Sequence, residues 1–283
     1  MERVEIAVLG LGTVGQGIIK IIQGNQEQWK KRCGSEIAVK KVLVKNARRT
    51  REVTLSAGVL TENWEEIIAD ESIKVIVEVM GGIEPARTYI LNAIKQGKNI
   101  ITANKDLLAE HGQEIFEAAA AAGVDLYFEA SVAGGIPIIA PLKQSLAANN
   151  IQQVMGIVNG TTNFILTKMS KEGMDYGEAL KQAQDLGYAE ADPTADVGGL
   201  DAARKIAILA SLAFHTRVRF QDVYVEGITN LTSKDLQNAR ELGYVVKLLG
   251  IAREENEEVE VRVHPALIPD HHPLANVNDS FNA

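Results

Sequence analysis

The chain has little cysteine, no long apolar runs and a deficit of positive charge. One cysteine, Cys33, stands among 283 residues, so no internal disulfide can form and no Cys/His cluster suggests zinc. A reducing, cytoplasmic setting fits that usage. No stretch approaches the ~18 apolar residues of a membrane span, and no secretory signal precedes the first apolar run. With 29 basic and 37 acidic residues the formal net charge is −8, which argues against nonspecific binding of nucleic acid.

What the chain does have is a regular alternation of short apolar runs and amphipathic stretches over residues 1–130. The apolar runs predict strands at Val4–Leu9, Val39–Val44, Val75–Val79, Asn99–Thr102 and Val124–Phe128. The stretches between them predict helices at Thr13–Gln23, Trp64–Ala69, Pro85–Gln96 and Gly112–Ala122. Strand–helix alternation of this kind is typical of an α/β domain with a doubly wound, mostly parallel sheet.

The regular alternation of predicted strands and helices ends after residue 130. Helical spacing of apolar residues predicts helices at Ile138–Ala148, Thr162–Ser170, Tyr176–Leu186, Leu200–Phe214 and Asp235–Leu242. Strand-like runs lie at Gln153–Val158, Lys247–Arg253 and Val259–Val263, with a polar hairpin turn predicted at Glu254–Glu258. Because helices and strands no longer alternate strictly, residues 131–283 are predicted to form a second domain of the α+β class.

A glycine motif follows the first predicted strand and opens the first predicted helix. It reads Gly10-Leu11-Gly12-Thr13-Val14-Gly15. In Rossmann-type domains the first glycine permits a tight turn, the second lets the pyrophosphate approach the backbone, and the third lets the helix pack on the strand. The N-terminus of the helix offers N–H groups and a positive dipole end to the phosphates. The motif therefore predicts a dinucleotide site, and the alternative is a merely tight strand–helix turn.

The end of the second predicted strand indicates which dinucleotide would bind. An NAD site usually has an acid there, which accepts a hydrogen bond from the ribose 2′-hydroxyl. This chain instead has three bases within residues 45–49, namely Lys45, Arg48 and Arg49. Such a cluster would bind a 2′-phosphate well. The sequence thus favours NADP over NAD, with Lys45 and Arg48 as the candidate ligands, and the alternative is an ordinary solvated basic loop.

Two polar segments further along are candidates for chemistry. Lys105 follows the fourth strand, at the sheet edge where ligands of such folds bind. It fits equally well as a surface lysine that begins the next helix. Residues 159–163, Asn-Gly-Thr-Thr-Asn, lie between a strand and a helix. They are either a functional loop or an Asx-type turn with an N-cap.

Asp201 and Lys205 share one face of a predicted helix at i, i+4 spacing. As a surface ion pair they would contribute only ~0.3–0.5 kcal/mol to stability. The helix is strongly apolar, however, and a lysine at a partly dry site can serve as an acid or base.

The turn at residues 129–137 is a further candidate, because its carbonyls and the carboxylate of Glu129 could hold a monovalent cation. The alternative there is a glycine turn without an ion.

Taken together, these segments resemble the homoserine dehydrogenases. The resemblance extends from the first strand to the last residues. It is carried by GLGTVG at 10–15, TANK at 102–105, EASVAGGIP at 129–137, NGTTNFIL at 159–166 and GYAEADPTADVGGLDAARK at 187–205. The last three motifs are long and specific. The resemblance implies reversible, NAD(P)-dependent interconversion of L-homoserine and L-aspartate 4-semialdehyde, a step toward threonine, isoleucine and methionine.

The resemblance also implies roles for residues. Lys205 would be the acid/base lysine at the reacting oxygen, and Lys105 a second lysine near the substrate and the nicotinamide. The residues expected to bind or surround the substrate are Glu190, Asp201, Asp196, Tyr188, Gly160 and Thr161. Gly187 would join the glycine motif and Lys105 at the cofactor. A structural sodium site would comprise Glu129 with the carbonyls of Val132, Gly134 and Ile136, and the protein would be a homodimer through its second domain.

One departure from the family concerns the end of the chain. A glycine-rich turn and a final helix usually follow the Phe-Asn-Ala seen here at 281–283, and many members carry a regulatory domain after them. The chain is therefore expected to be a truncated form. Two alternatives stay open at this point. One is a different NAD(P)-dependent amino-acid dehydrogenase of the same architecture, and the other is a noncatalytic NADP-binding homologue.

Overall fold

A computed structural model describes residues 2–280, which fall into two compact units divided between Ser131 and Val132. The first unit contains a parallel sheet of strands β1 (Glu2–Leu9), β2 (Ser35–Leu43), β3 (Leu60–Thr61), β4 (Ile73–Glu78), β5 (Asn99–Thr102) and β6 (Leu126–Tyr127). The strand order is β3-β2-β1-β4-β5-β6. This is the doubly wound order of Rossmann-type domains, and it confirms the predicted fold class.

Helices cover both faces of this sheet: α1 (Thr13–Gly24), α2 (Gln26–Cys33), α3 (Glu65–Ile68), α4 (Ala86–Lys95) and α5 (Lys105–Ala122). Strand β1 shows why two layers of helices are needed. Its Ala7 and Leu9 belong to one buried cluster, and its Ile6 and Val8 belong to another. Because successive side chains of a strand point to opposite faces, an apolar run such as β1 requires cover on both sides.

The sequence prediction missed two elements of the first unit and misplaced a third. Helix α2 buries no residue, so it lacks the apolar stripe by which a helix is recognised. Strand β3 has two residues and is too short to show a period. Helix α5 begins at Lys105 rather than at Gly112, because the side chain of Asn104 accepts a hydrogen bond from the Leu107 N–H at 3.1 Å and caps it there.

The second unit contains a mixed sheet, in the order β7-β9-β10-β8. Its strands are β7 (Gln153–Gly156), β8 (Tyr224–Val225), β9 (Tyr244–Glu255) and β10 (Glu258–Pro269). The β9–β10 and β7–β9 pairs are antiparallel, and the β8–β10 pair is parallel. Asn256 and Glu257 join β9 to β10 with positive φ angles, so the predicted polar hairpin turn is confirmed.

The helices of the second unit are α6 (Gly160–Glu172), α7 (Tyr176–Asp185), α8 (Thr194–Val197), α9 (Leu200–Ala213) and α10 (Ser233–Glu241). The predicted helix Ile138–Ala148 is confirmed only over residues 139–145, and it is π-helical at Pro141–Ser145. The Leu146 N–H donates to the Pro141 carbonyl at 2.9 Å, five residues back. Pro141 lies in the first turn of this short helix, where its missing N–H costs no intrahelical hydrogen bond. None of the helices within residues 2–280 is long and apolar enough to cross a membrane.

Candidate functional site

The turn between β1 and α1 is shaped by its glycines. Gly10 has φ +102°, and a Cβ added there would lie 2.7 Å from the Val79 carbonyl oxygen. A Cβ on Gly15 would collide with the Gly10 carbonyl. Gly12 differs, since no atom lies within 4 Å of a Cβ built on it. Two glycines therefore let strand and helix pack closely, and the third leaves open space where a phosphate would meet the backbone.

A cavity of about 390 Å³ adjoins this turn. Gly10 and Gly12 line one part of it, and the cationic side chains of Lys45, Arg49 and Arg51 line another. Glu62, which follows β3, is also part of its wall. A concave site with a glycine turn and three cations suits an anionic ligand such as a nucleotide.

The basic loop that lines this cavity, residues 45–51, folds around the side chain of Arg51. Its guanidinium donates to the carbonyls of Asn46 and Arg49 at 2.8 Å each. The Nε of Arg51 is buried and has no hydrogen-bond partner among the described residues. Such an orphaned donor beside a cavity fits an anionic group arriving there. The sequence analysis missed Arg51, which lies after the basic run that it singled out.

The predicted cofactor residue Arg48 does not line the described cavity, although its neighbour Arg49 does. The Arg48 backbone N–H donates to the Asn46 side chain at 2.9 Å, and the residue is exposed. Thr13 and Val14 form the first turn of α1, where both are exposed. Their roles and that of Arg48 stay predictions.

Lys105 is the first residue of α5, so the prediction that this lysine begins a helix is confirmed. Two buried residues tie the neighbouring strand ends together. Glu78, at the end of β4, accepts from the Thr102 hydroxyl at 2.7 Å and from the Met80 N–H at 2.8 Å. Asn104, which caps α5, donates to the Gly82 carbonyl at 2.7 Å. Lys105 thus stands at the carboxyl edge of the sheet, on backbone that is well anchored.

A cluster of buried and half-buried polar side chains occupies the second unit. Lys205 donates to an Asp201 carboxylate oxygen at 2.7 Å and to the Val158 carbonyl at 2.9 Å. The Asn159 side-chain amide donates to the same Asp201 oxygen at 2.9 Å and to Asp196 at 2.7 Å. Three segments of the chain therefore bring two carboxylates, one amide and one amine together.

Local structure positions each member of this cluster. Asn159 is the N-cap of α6, where its side-chain oxygen accepts from the Thr162 N–H at 2.8 Å. Asp201 and Lys205 lie one turn apart on α9, which buries Ile206 and Leu209. The side chains of Asp201 and Lys205 are 8% and 20% exposed, so the alternative of a solvated surface pair is wrong. Since an unpaired buried carboxylate is costly, Asn159 is as much a part of this cluster as the lysine.

Asn159 is a further side chain of a candidate site to which the sequence analysis gave no role of its own. Its motif was recognised, but an N-cap alone accounts for an asparagine before a helix. The signal that could have found it is chemical: two acids and a lysine buried together need a neutral donor.

The other predicted substrate residues divide into two groups. Thr161 donates its hydroxyl proton to the Tyr188 carbonyl at 2.6 Å, and the Tyr188 ring packs edge-on against Phe164 at 5.1 Å. A Cβ on Gly160 would lie 2.9 Å from the Ser280 carbonyl oxygen, so this position is tightly packed. By contrast, Glu190 lies on the exposed loop that follows α7, as does Gly187, which was predicted for the cofactor.

The predicted cation turn is divided between the two units. Glu129 begins a short 3₁₀ turn, Glu129–Ser131, at the end of the first unit. Val132, Gly134 and Ile136 belong to the second unit, where the Ile136 N–H donates to the Ala133 carbonyl at 2.8 Å. The sodium site stays a prediction.

The sheet order and the glycine turn define a dinucleotide-binding α/β protein with a separate second unit. Family models give the particular family. Residues 10–129 match "Homoserine dehydrogenase, NAD binding domain", and residues 137–283 match "Homoserine dehydrogenase". The chain belongs to the homoserine dehydrogenase family.

Curated and solved relatives agree with this family. The chain is 51% identical to a homoserine dehydrogenase of Bacillus subtilis, over 100% of the chain and 65% of the relative. The crystal structure of a homoserine dehydrogenase from Thiobacillus denitrificans is 47% identical, with a TM-score of 0.94 over 99% of the chain and 65% of the solved one. That of S. aureus homoserine dehydrogenase at pH 7.5 is 46% identical, with a TM-score of 0.87, over 99% and 69%. The chain thus spans about 65% of the length of the curated relatives that it matches.

Proposed function

We propose that the chain catalyses the reversible NAD(P)-dependent oxidation of L-homoserine to L-aspartate 4-semialdehyde, a step in the synthesis of threonine, methionine and isoleucine. The observation that carries the proposal is the buried cluster of Lys205, Asp201, Asn159 and Asp196 within the family-matched second unit. The full-length coverage of the chain by proteins named homoserine dehydrogenase supports the choice of substrate.

Lys205 is the proposed acid/base residue. When bound, the nicotinamide accepts a hydride from the carbon that carries the substrate hydroxyl. The hydroxyl proton must then go to a base, and a neutral Lys205 amine would take it. In the reverse direction the Lys205 ammonium would return that proton to the aldehyde oxygen. Asp201, which accepts from Lys205 at 2.7 Å, would orient the amine.

The substrate is an amino acid, so its ammonium group needs carboxylates. Asp196 and Asp201 are held by the Asn159 amide, and Glu190 is an exposed acid on the loop after α7. We propose that these acids bind the ammonium and thereby orient the reacting carbon. Thr161 and Tyr188, which are joined by a hydrogen bond, would line the same pocket together with Gly160.

The cofactor would occupy the cavity beside the β1–α1 turn. Residues 10–15 would receive the pyrophosphate, and the cations at the end of β2 would favour NADP, with NAD as the second option. Lys45 was predicted for the 2′-phosphate together with Arg48, and the lining supports Arg49 and Arg51 as additional ligands. From the family resemblance we add Lys105 as a second lysine near the nicotinamide and Gly187 at the cofactor.

The remaining proposals also come from the resemblance. Glu129, with the carbonyls of Val132, Gly134 and Ile136, would bind a structural sodium ion. The protein would be a cytoplasmic homodimer, with no nucleic-acid or membrane partner.

A spectrophotometric assay tests the proposed activity. The purified chain is mixed with L-homoserine and either NADP⁺ or NAD⁺, and the absorbance of the reduced nicotinamide is followed. We expect homoserine-dependent reduction, faster with NADP⁺ at equal low cofactor concentration. Equal or higher rates with other hydroxy amino acids would favour a different dehydrogenase, and cofactor binding without reduction would favour a noncatalytic protein.

A further inference from the structure

An acidic side chain stands in the predicted cofactor cavity. Glu62 follows β3, which pairs with β2 through the Leu43–Thr61 register. Its carboxylate oxygen accepts from the Ala47 backbone N–H at 2.6 Å. The cavity is lined by Glu62 together with Lys45, Arg49 and Arg51. The end of β2 has no acid, but the neighbouring strand supplies one to the same corner.

This placement has two physical consequences. First, the hydrogen bond to Ala47 fastens the middle of the basic loop to the end of β3. Second, one negative charge stands among three positive ones and lowers the positive potential that they offer to an anion. A ribose 2′-phosphate would feel this opposing charge, whereas a 2′-hydroxyl would not, since it can donate to a carboxylate.

We propose that Glu62 is the residue that limits the preference of this site for a 2′-phosphorylated dinucleotide and so keeps NAD usable. The inference rests on the proposed nucleotide site and adds a specificity determinant to it. Glu62 is not a catalytic residue, because its effect is on which cofactor binds.

Glu62→Gln separates the charge from the hydrogen bond. The glutamine oxygen can still accept from the Ala47 N–H, but the negative charge is gone. Glu65→Gln is the matched control, since Glu65 is an exposed acid three residues further on that does not line this cavity. Dissociation constants of NADP⁺ and NAD⁺ are measured by calorimetry for the unchanged chain and both variants at fixed salt.

We expect Glu62→Gln to tighten NADP⁺ binding by about two- to fivefold, the range of one exposed charge pair. NAD⁺ binding should be unchanged or weaker, so the ratio of the two dissociation constants moves toward NADP⁺. Glu65→Gln should leave this ratio unchanged. An unchanged ratio in Glu62→Gln, or weaker NADP⁺ binding, would overturn the inference although the nucleotide site stands. Failure of the unchanged chain to bind either dinucleotide would overturn the nucleotide site as well.

Discussion

The two candidate sites of this molecule are built in opposite ways. The nucleotide turn of the first unit is made of backbone, and its shape depends on what Gly10 and Gly15 lack. The cluster of the second unit is made of buried and half-buried side chains, with Asn159, Asp196 and Lys205 contributed by three segments. A backbone site tolerates change in its neighbours, whereas each member of a buried polar cluster depends on the others. Substitutions at the two sites should therefore differ in their effects on activity, cofactor binding and stability.

The largest expected effect is the loss of turnover when the Lys205 amine is removed. Lys205→Ala should lower turnover by about 10²- to 10⁴-fold, because the proton acceptor is gone, and leave the Kd of NADP⁺ nearly unchanged. Lys181→Ala is the control, since Lys181 and Asp185 form an i, i+4 ion pair at 3.3 Å whose side chains are both exposed. Steady-state rates and calorimetric binding are the measurements. An active Lys205 variant would refute the role of this lysine.

The counterpart in the first unit is Gly12→Ala. A Cβ there meets no protein atom, and the φ of −81° suits alanine, so stability should change by less than about 0.5 kcal/mol. The methyl group would stand in the open space before α1 and weaken NADP⁺ binding by about tenfold or more, roughly 1.4 kcal/mol. Gly17→Ala is the control, because Gly17 lies in α1 itself and a Cβ built on it likewise meets no atom within 4 Å. If cofactor binding survives Gly12→Ala intact, the pyrophosphate does not approach this glycine.

The same contrast explains which parts of the two sites could be predicted from the sequence. The glycine turn was predictable, because six adjacent residues define its shape. The polar cluster was predictable only in part. Asp201 and Lys205 share a helix turn, but Asn159 meets them across 42 residues of chain, and no local pattern encodes that contact. Glu62 was missed for the same reason, since it reaches the basic loop from an adjacent strand and not from the end of β2.

A pair of substitutions at Asn159 separates its two roles. Asn159→Ala removes the cap of α6 and the donor to both carboxylates, and should lower the free energy of unfolding by about 1–3 kcal/mol. Asn159→Ser can keep the cap and should be more stable than the alanine variant. Both should lose turnover to a similar degree. Thermal unfolding and rates measure this, and a fully active serine variant would make Asn159 a cap alone.

The smallest expected effect on activity is at Lys247, a buried lysine of β9, whose replacement should instead change how stability depends on pH. Burial and, to a lesser extent, the charge of the nearby Lys171 lower its pKa to about 8, and Asp279 opposes them. Its amine donates to Asn163 at 2.9 Å and to the Val277 carbonyl. Because the folded pKa lies below the unfolded one, the unfolded chain binds more protons between pH 8 and 10.5. Stability from this group should therefore rise with pH across that window.

The measurement is the difference in unfolding free energy between the unchanged chain and Lys247→Met, taken by denaturant titration at several pH values. We expect this difference to move in favour of the lysine by up to about 3 kcal/mol from pH 8 to pH 10.5. Lys168→Met, at a partly exposed lysine of α6 whose pKa is raised by Glu172, should show no such rise. If this difference does not change with pH, burial does not lower the pKa of Lys247.

The central claim is that the amine at 205 meets the hydroxyl of a small amino alcohol. A crystal structure of the chain with L-homoserine and NADPH, a pair that cannot react, tests it most directly. The account predicts the homoserine hydroxyl oxygen within about 3 Å of the Lys205 Nζ, with the ligand ammonium facing Asp196, Asp201 or Glu190. Homoserine bound away from this cluster, with Lys205 still facing only Asp201 and Val158, would contradict it.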